Sequence, residues 1–358
     1  MSAAEHVFVG IPGTELYSDS AALLAEHQPG GVILFKRNIQ SAEQLGELVT
    51  AIRRILPDAV LSIDAEGGRV DRLKDVVGAA PPAGLLAKRP PSLSLQAGLW
   101  IAQSLRLFDL DVTFAPVVDL DRGESDNALD GRYLGRSPAD IVPRARAFLR
   151  GLHMGGAGGS LKHFPGLGGA STDTHFKVAC VYLPSQVLQA DLDPFDSLAR
   201  LAGAVMVGHA IYPAYDAEQR PATLSPEIIG GLLRGRLRFD GLCFSDDLEM
   251  KALDEWGDLA ERSMLSFAAG CDVLLLCHTL EALPGVVALL EDPRLEERRA
   301  EARRRLDTYR QRLRTLRSAR DYINLMRESN RGERLENIKQ AFEQMQEAKE
   351  AENGEAPA

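Results

Sequence analysis

The chain has 358 residues, 45% hydrophobic and 26% charged, the ordinary composition of a soluble globular protein. A net charge of -10 argues against binding nucleic acid by phosphate neutralisation. No run reaches the roughly 18 apolar residues of a membrane span, and MSAAEHVFVGIPG lacks the basic-then-apolar pattern of a signal peptide. The expectation is a cytoplasmic protein with no membrane or nucleic-acid partner.

Short apolar, β-branched runs recur in chain order: VFVGI (7–11), GVILF (31–35), AVLSID (59–64), VTFAPVVDL (112–120), GSLKHF (159–164), AVMVGHA (204–210), LCFSDD (242–247) and DVLLLCH (272–278). Their continuous apolarity suits strands buried on both faces, as in a parallel sheet. Helical patterns lie between them. SAEQLGELVTAIRRIL (41–56) opens on a Ser cap, and SPEIIGGLLRGRL (225–237) begins Ser-Pro. Strands alternating with helices predict an α/β fold, a (β/α)8 TIM-type barrel over residues 1–291. An open doubly wound sheet is the competitor, but no glycine-rich dinucleotide fingerprint follows the first run.

Residues 292–350 change character to Arg-rich and then Glu/Gln/Lys-rich sequence. They read as charged helices without a broad apolar face, packed on the barrel or serving a partner. Residues 351–358 read as a disordered tail. Cys243, Cys271 and Cys277 sit in apolar runs and read as reduced core residues, and the four cysteines are too scattered for a zinc ribbon.

Barrel enzymes place catalytic groups at the C-terminal ends of strands. Here those ends carry Asp64, Asp119, Lys162 with His163, His209, Asp246 with Asp247, and His278. In FSDDLEM (244–250), strand alternation sends Asp246 and Asp247 to opposite faces, so one acid should reach the mouth while the other caps or pairs. Asp246 could be a nucleophile, a metal ligand or a helix cap. In SIDAEGGRVDRL (62–73), Asp64 and Arg69 either contact a ligand or form a loop-stabilising pair. NALDGRYLGRSP (127–138) carries Arg132, and His209 ends its strand, where a satisfied core histidine is the plain alternative.

The first strand ends Gly-Ile-Pro-Gly rather than with an HxH pair, and the histidines are isolated on separate strands. No metal or cofactor is therefore expected. Carboxylate and imidazole chemistry remains, which suits glycoside hydrolysis: one carboxylate attacks the anomeric carbon and a second group protonates the leaving oxygen. In KHFPGLGGASTDTH (162–175), Asp173 lies two residues from His175 and can orient that ring for proton transfer.

These segments resemble glycoside hydrolase family 3, specifically the single-domain bacterial β-N-acetylglucosaminidases (β-N-acetylhexosaminidases) of cell-wall recycling. The family's KHFPGHGxxxxDSH corresponds to 162–175, its DQEGGRVxR to DAEGGRVDR (64–72), and its FDGVxFSDDLxM to FDGLCFSDDLEM (239–250). GGVILFKRN (30–38), FAPVVDLD (114–121), GHAIYPAYD (208–216) and AGCDVLLLC (269–277) are similar as well. The resemblance implies a retaining glycosidase with Asp246 as nucleophile and His175, oriented by Asp173, as acid/base. It implies that Asp64, Lys162, His163, Arg132 and His209 hold the sugar. It also implies a small GlcNAc-containing substrate such as a muropeptide fragment, acted on by a monomer or homodimer. Alternatives are a glycoside phosphorylase, a β-glycosidase of altered specificity, and a non-catalytic sugar-binding relative. Leu167 stands where the family has His and Ala65 where it has Gln, and both are expected to border the sugar site.

Overall fold

The computed structural model describes residues 2–123, 129–170 and 179–324. All eight expected apolar runs form strands. They are β1 (Val7–Gly10), β2 (Gly31–Leu34), β3 (Val60–Ile63), β4 (Val112–Thr113), β5 in two pieces (Gly158–Gly159 and Leu161–Phe164), β6 (Ala204–Val207), β7 (Leu242–Asp247) and β8 (Val273–Leu276). Every pairing in this sheet is parallel. The first piece of β5 pairs with β4 and the second with β6, so this one interrupted strand closes the sheet into a barrel.

Side chains alternate between two environments. Phe8, Ile33, Val60, Val112, Met206, Phe244 and Leu275 fill the barrel interior, while Val9, Val32, Leu61, Val205, Cys243 and Leu274 join the layer under the helices. Burial on both faces explains why the strands read as unbroken apolar runs. The outer helices are α1 (Ser18–His27), α2 (Ala42–Ile55), α3 (Pro91–Leu107), α4 (Pro138–Gly155), α5 (Ser185–Ala202), a wider π-type helix Glu227–Arg236, α6 (Leu259–Ala269) and α7 (Leu283–Leu290). Ser41 caps α2 through the Gln44 N–H, and Ser225 accepts the Ile228 N–H before the π-type helix. Both are the cap residues the sequence indicated. All four cysteines are free, and Cys243, Cys271 and Cys277 are buried.

The Arg-rich segment forms α8 (Glu296–Asn324). Four of its side chains, Ala302, Leu306, Tyr309 and Leu313, are buried in a narrow stripe, and the last three enter the barrel-interior cluster. Tyr309 donates to the Gly159 carbonyl at 3.2 Å and sets its ring edge-on to Phe244, 6.2 Å away. This helix therefore closes the N-terminal end of the barrel, leaving the C-terminal end as the open mouth. The expectations for residues 325–350 and for the tail lie outside the described residues. Among those described, no helix is long and apolar enough to cross a membrane.

Candidate active site

A cavity of about 570 Å³ opens at the mouth, within the size range of small-molecule sites. Asp64, Arg132, Lys162, His163 and Asp246 all line it. These five come from β3, β5, β7 and the loop after β4, so the fold brings together residues up to 182 positions apart (64 to 246).

The cationic wall is built around Glu66. After β3 the chain forms a tight hairpin, Ala65–Gly67 against Val70–Asp71. Its turn residues Gly67 and Gly68 have φ of 92° and 65°, a region open to glycine at little cost. The hairpin buries the Glu66 carboxylate against two cations. Arg132 grips it with both Nε and Nη2 at 2.8 Å, and Lys162 Nζ lies 2.6 Å from Oε1. Lys162 also donates to Asp64 Oδ1 at 3.0 Å, and Arg72 lies 3.6 Å from Asp64 Oδ2.

Burial alone would lift the Glu66 pKa, but Arg132 and Lys162 outweigh it and hold the carboxyl well below the usual range. Burial would likewise discharge Lys162, yet Asp64 and Glu66 raise its pKa. The cluster stays ionised and rigid, a wall of charged donors and acceptors suited to sugar hydroxyls.

His163 is set by Asp119, a wholly buried acid in the loop after β4. Asp119 accepts from His163 Nδ1 at 2.8 Å, from the His163 backbone N–H, and from the Leu167 N–H at 2.7 Å. With Nδ1 so committed, Nε2 is the ring atom left to meet a ligand.

Asp246 sits at the end of β7. Its Oδ1 accepts the Asp247 N–H at 2.8 Å. Burial pushes its pKa up, but the His209 and His163 imidazoles, the Asp247 N–H and Lys162 pull it down further, leaving it below the ordinary carboxylate value. Asp246 is thus an ionised carboxylate facing a cavity, the state a nucleophile requires.

Three expectations need correction. Simple alternation was to send one of the paired acids away from the mouth, yet Asp246 and Asp247 both line the cavity. The register between β7 and β8 shifts between Phe244 and Asp247, and that irregularity turns Asp247 inward opposite Leu275. His209 was expected to hold the sugar, but it is 1% exposed and lies off the cavity wall. Its Nε2 donates to the Asp247 carbonyl at 2.8 Å and so braces β7, while burial lowers its pKa against the pull of Asp246. Ala65 was expected to border the site. It is 1% exposed, with its backbone bound to the Thr113 hydroxyl, whereas Leu167 does line the cavity.

Asp173 and His175 lie outside the described residues. Among those described, no group of three His, Cys, Asp or Glu residues is placed to hold a metal. Glu66, inside the DAEGGRV motif, has a role that its sequence position does not announce, and Arg72 pairs with Asp64 where the sequence suggested Arg69. A buried acid between a strand-end Asp and two glycines was the available signal.

An ionised carboxylate and a wall of paired ions at the mouth of a parallel barrel suit a carbohydrate-active enzyme. The chain belongs to glycosyl hydrolase family 3: residues 7–308 match that family's N-terminal domain. The Beta-hexosaminidase of Alkalilimnicola ehrlichii is 40% identical over 298 residues, covering 80% of this chain and 84% of that protein. The glycoside hydrolase family 3 beta-N-acetylglucosaminidase from Paenibacillus sp. str. FPU-7 superposes with a TM-score of 0.82 at 32% identity, over 87% of this chain and 61% of that longer one. NagZ from Neisseria gonorrhoeae, solved with N-trifluoroacetyl-D-glucosamine, superposes with a TM-score of 0.74 at 29% identity, over 87% and 96% of the two chains.

Proposed function

We propose that this chain is a retaining β-N-acetylhexosaminidase that works through a covalent glycosyl-enzyme on Asp246. Removal of terminal N-acetylglucosamine by hydrolysis is supported by the family and by the relatives named a Beta-hexosaminidase and a beta-N-acetylglucosaminidase. The observation that carries the mechanism is the ionised Asp246 carboxylate opening into the same cavity as Asp64, Lys162 and Arg132.

In this reading Asp64, Lys162, Arg132 and the free Nε2 of His163 hold the hydroxyls of the terminal sugar. Asp246 attacks the anomeric carbon. His175, oriented by Asp173, protonates the leaving oxygen and then activates the water that releases the sugar. A histidine donor instead of a second carboxylic acid is supported by the DTH sequence at 173–175. The substrate in this reading is a muropeptide fragment such as N-acetylglucosamine linked to 1,6-anhydro-N-acetylmuramic acid, met in the cytoplasm by a monomer or homodimer.

Turnover of a nitrophenyl β-N-acetylglucosaminide, with the first-released anomer read by proton NMR, tests the proposal. The β anomer should appear first, at a rate indifferent to added phosphate. Asp246→Ala should lose at least ~10³-fold in kcat/KM. The α anomer first, or a full rate from Asp246→Ala, defeats the mechanism. A strict phosphate requirement would make the chain a phosphorylase instead.

A further inference from the structure

His278 follows β8 on the cavity wall, with its side chain 57% exposed, yet both ring nitrogens are engaged. Nδ1 lies 3.2 Å from Arg37 Nη1, and Nε2 lies 3.3 Å from Asp247 Oδ2. A guanidinium has only donors, so Nδ1 must accept. In the neutral ring the proton then sits on Nε2 and points at Asp247, a bond that raises the His278 pKa. Arg37 cannot swing away easily. Its Nε donates to the Ile11 carbonyl at 3.0 Å and its Nη2 to the Cys277 carbonyl. A Cβ at Gly10 would fall 2.7 Å from Arg37 Nη2 and 2.0 Å from the Cys277 oxygen, so only glycine admits the guanidinium there. Phe35 backs the pair. Its ring stacks on His278 at 5.7 Å, and the Arg37 guanidinium carbon lies 4.5 Å from the Phe35 centroid.

The far end of this chain of contacts is the reactive carboxylate. Asp247 is held at its side chain by His278 and by the Glu249 N–H at 3.0 Å, and at its carbonyl by His209. Its own N–H then donates to Asp246 Oδ1 at 2.8 Å.

The geometry points to Arg37, His278 and Asp247 as a positioning relay for Asp246. Arg37 fixes the tautomer of His278, His278 anchors the Asp247 carboxylate, and the anchored Asp247 backbone aims the Asp246 carboxylate. This rests on Asp246 being the nucleophile. The relay touches no reacting atom itself; it acts through Asp246.

Two consequences separate it from a merely structural contact. Misaiming a reacting group by about 1 Å can cost ~10²-fold in rate, a loss that falls on kcat. The charges matter as well. Asp247 is faced by Asp246 on its own strand, Glu249 just after it, Cys277 and His278 just after β8, His209 just after β6, and Arg37 after β2. Released from His278, the Asp247 carboxylate would lose a hydrogen-bond donor that spreads its charge and would bear more strongly, as a like charge, on Asp246, raising the Asp246 pKa.

The test is a kcat and KM series from pH 4 to 9 on nitrophenyl β-N-acetylglucosaminide, with thermal unfolding followed for each variant. His278→Ala should lower kcat by about 10- to 100-fold, leave KM nearly unchanged, and move the acidic limb of kcat/KM to higher pH. His278→Gln, which keeps an N–H for Asp247, should recover most of the rate. His278→Asn, too short to bridge both partners, should behave as His278→Ala does, and this pair carries the test if the alanine variant does not fold. Wild-type kcat and acidic limb in His278→Ala, a loss carried by KM alone, or no advantage of Gln over Asn overturns the relay. Asp246→Ala separates the two claims. If it is inactive while His278→Ala is fully active, the relay falls and the nucleophile stands; if it is active, the nucleophile itself was misassigned.

Discussion

At the mouth of the barrel Asp64, Asp246 and Asp247 turn carboxylates toward an open cavity, whereas at the opposite end the acids are taken up by arginines around an apolar plug. Buried Asp272 meets Arg234 at 2.7 Å and Arg298 at 2.8 Å, and Asp111 meets Arg53 at 2.6 Å. Between these arginines Leu306, Tyr309 and Leu313 close the barrel floor. Both ends are rich in charge, so charge density alone does not mark a site. What differs is whether the ions face a space that a ligand can enter. Floor ions tie helices to the barrel, Arg298 of α8 among them; mouth ions are held in place by others, as Lys162 and Arg132 are by Glu66.

That contrast can be broken from either end. At the mouth, Arg132→Ala should cost about 10²-fold or more in kcat/KM, because a hydrogen-bonding partner of the substrate is lost and the buried Glu66 loses its two-pronged partner, a change worth about 3–5 kcal/mol. Arg132→Lys keeps the charge but not the fork and should recover only part of the loss, measured by steady-state kinetics. At the floor, Tyr309→Ala should destabilise the fold by about 3–5 kcal/mol through the cavity it leaves, while Tyr309→Phe should cost about 1 kcal/mol for the bond to Gly159. Urea unfolding reads both. An activity loss in Tyr309→Phe with stability intact would show the two ends to be coupled.

Acid should attack the floor. Burial, and then the Arg298 charge, lower the pKa of His6 from 6.5 to about 4. Its contribution is complete above pH 6.5 and fades as the pH falls toward 4, because the unfolded chain takes up a proton that the folded one refuses. The loss approaches about 3 kcal/mol from this residue. His6→Gln should flatten the acid side of the stability-against-pH curve, as followed by unfolding midpoints between pH 7.5 and 4.5. The smallest effect is expected from Leu167→His, which places the family's usual residue on the cavity wall. The Leu167 backbone N–H, not its side chain, holds Asp119, so the substitution should alter KM or aglycone preference and leave kcat nearly unchanged.

The eight strands were legible because burial on both faces writes itself as continuous apolarity, and the mouth was legible because polar residues collect where those runs stop. Asp64, Lys162, His163 and Asp246 follow from that rule. Glu66 did not, since its role depends on Arg132, 66 positions away, and on a hairpin turn that buries it. The inward turn of Asp247 depends on a register shift between β7 and β8 that alternation cannot reveal. The floor was hidden for another reason: four buried residues of α8 are spaced among so many arginines that the helix reads as solvated.

Asp246 is the carboxylate whose oxygen bonds to the anomeric carbon of the sugar in the proposed mechanism. Intact-protein and peptide mass spectrometry after incubation with a fluorinated, slow-turnover N-acetylglucosaminyl donor measures this most directly. One glycosyl unit per chain, carried on the peptide containing Asp246 and absent from Asp246→Ala, is the predicted result. A label on another residue, or full turnover with no covalent adduct and an inverted product, would contradict it.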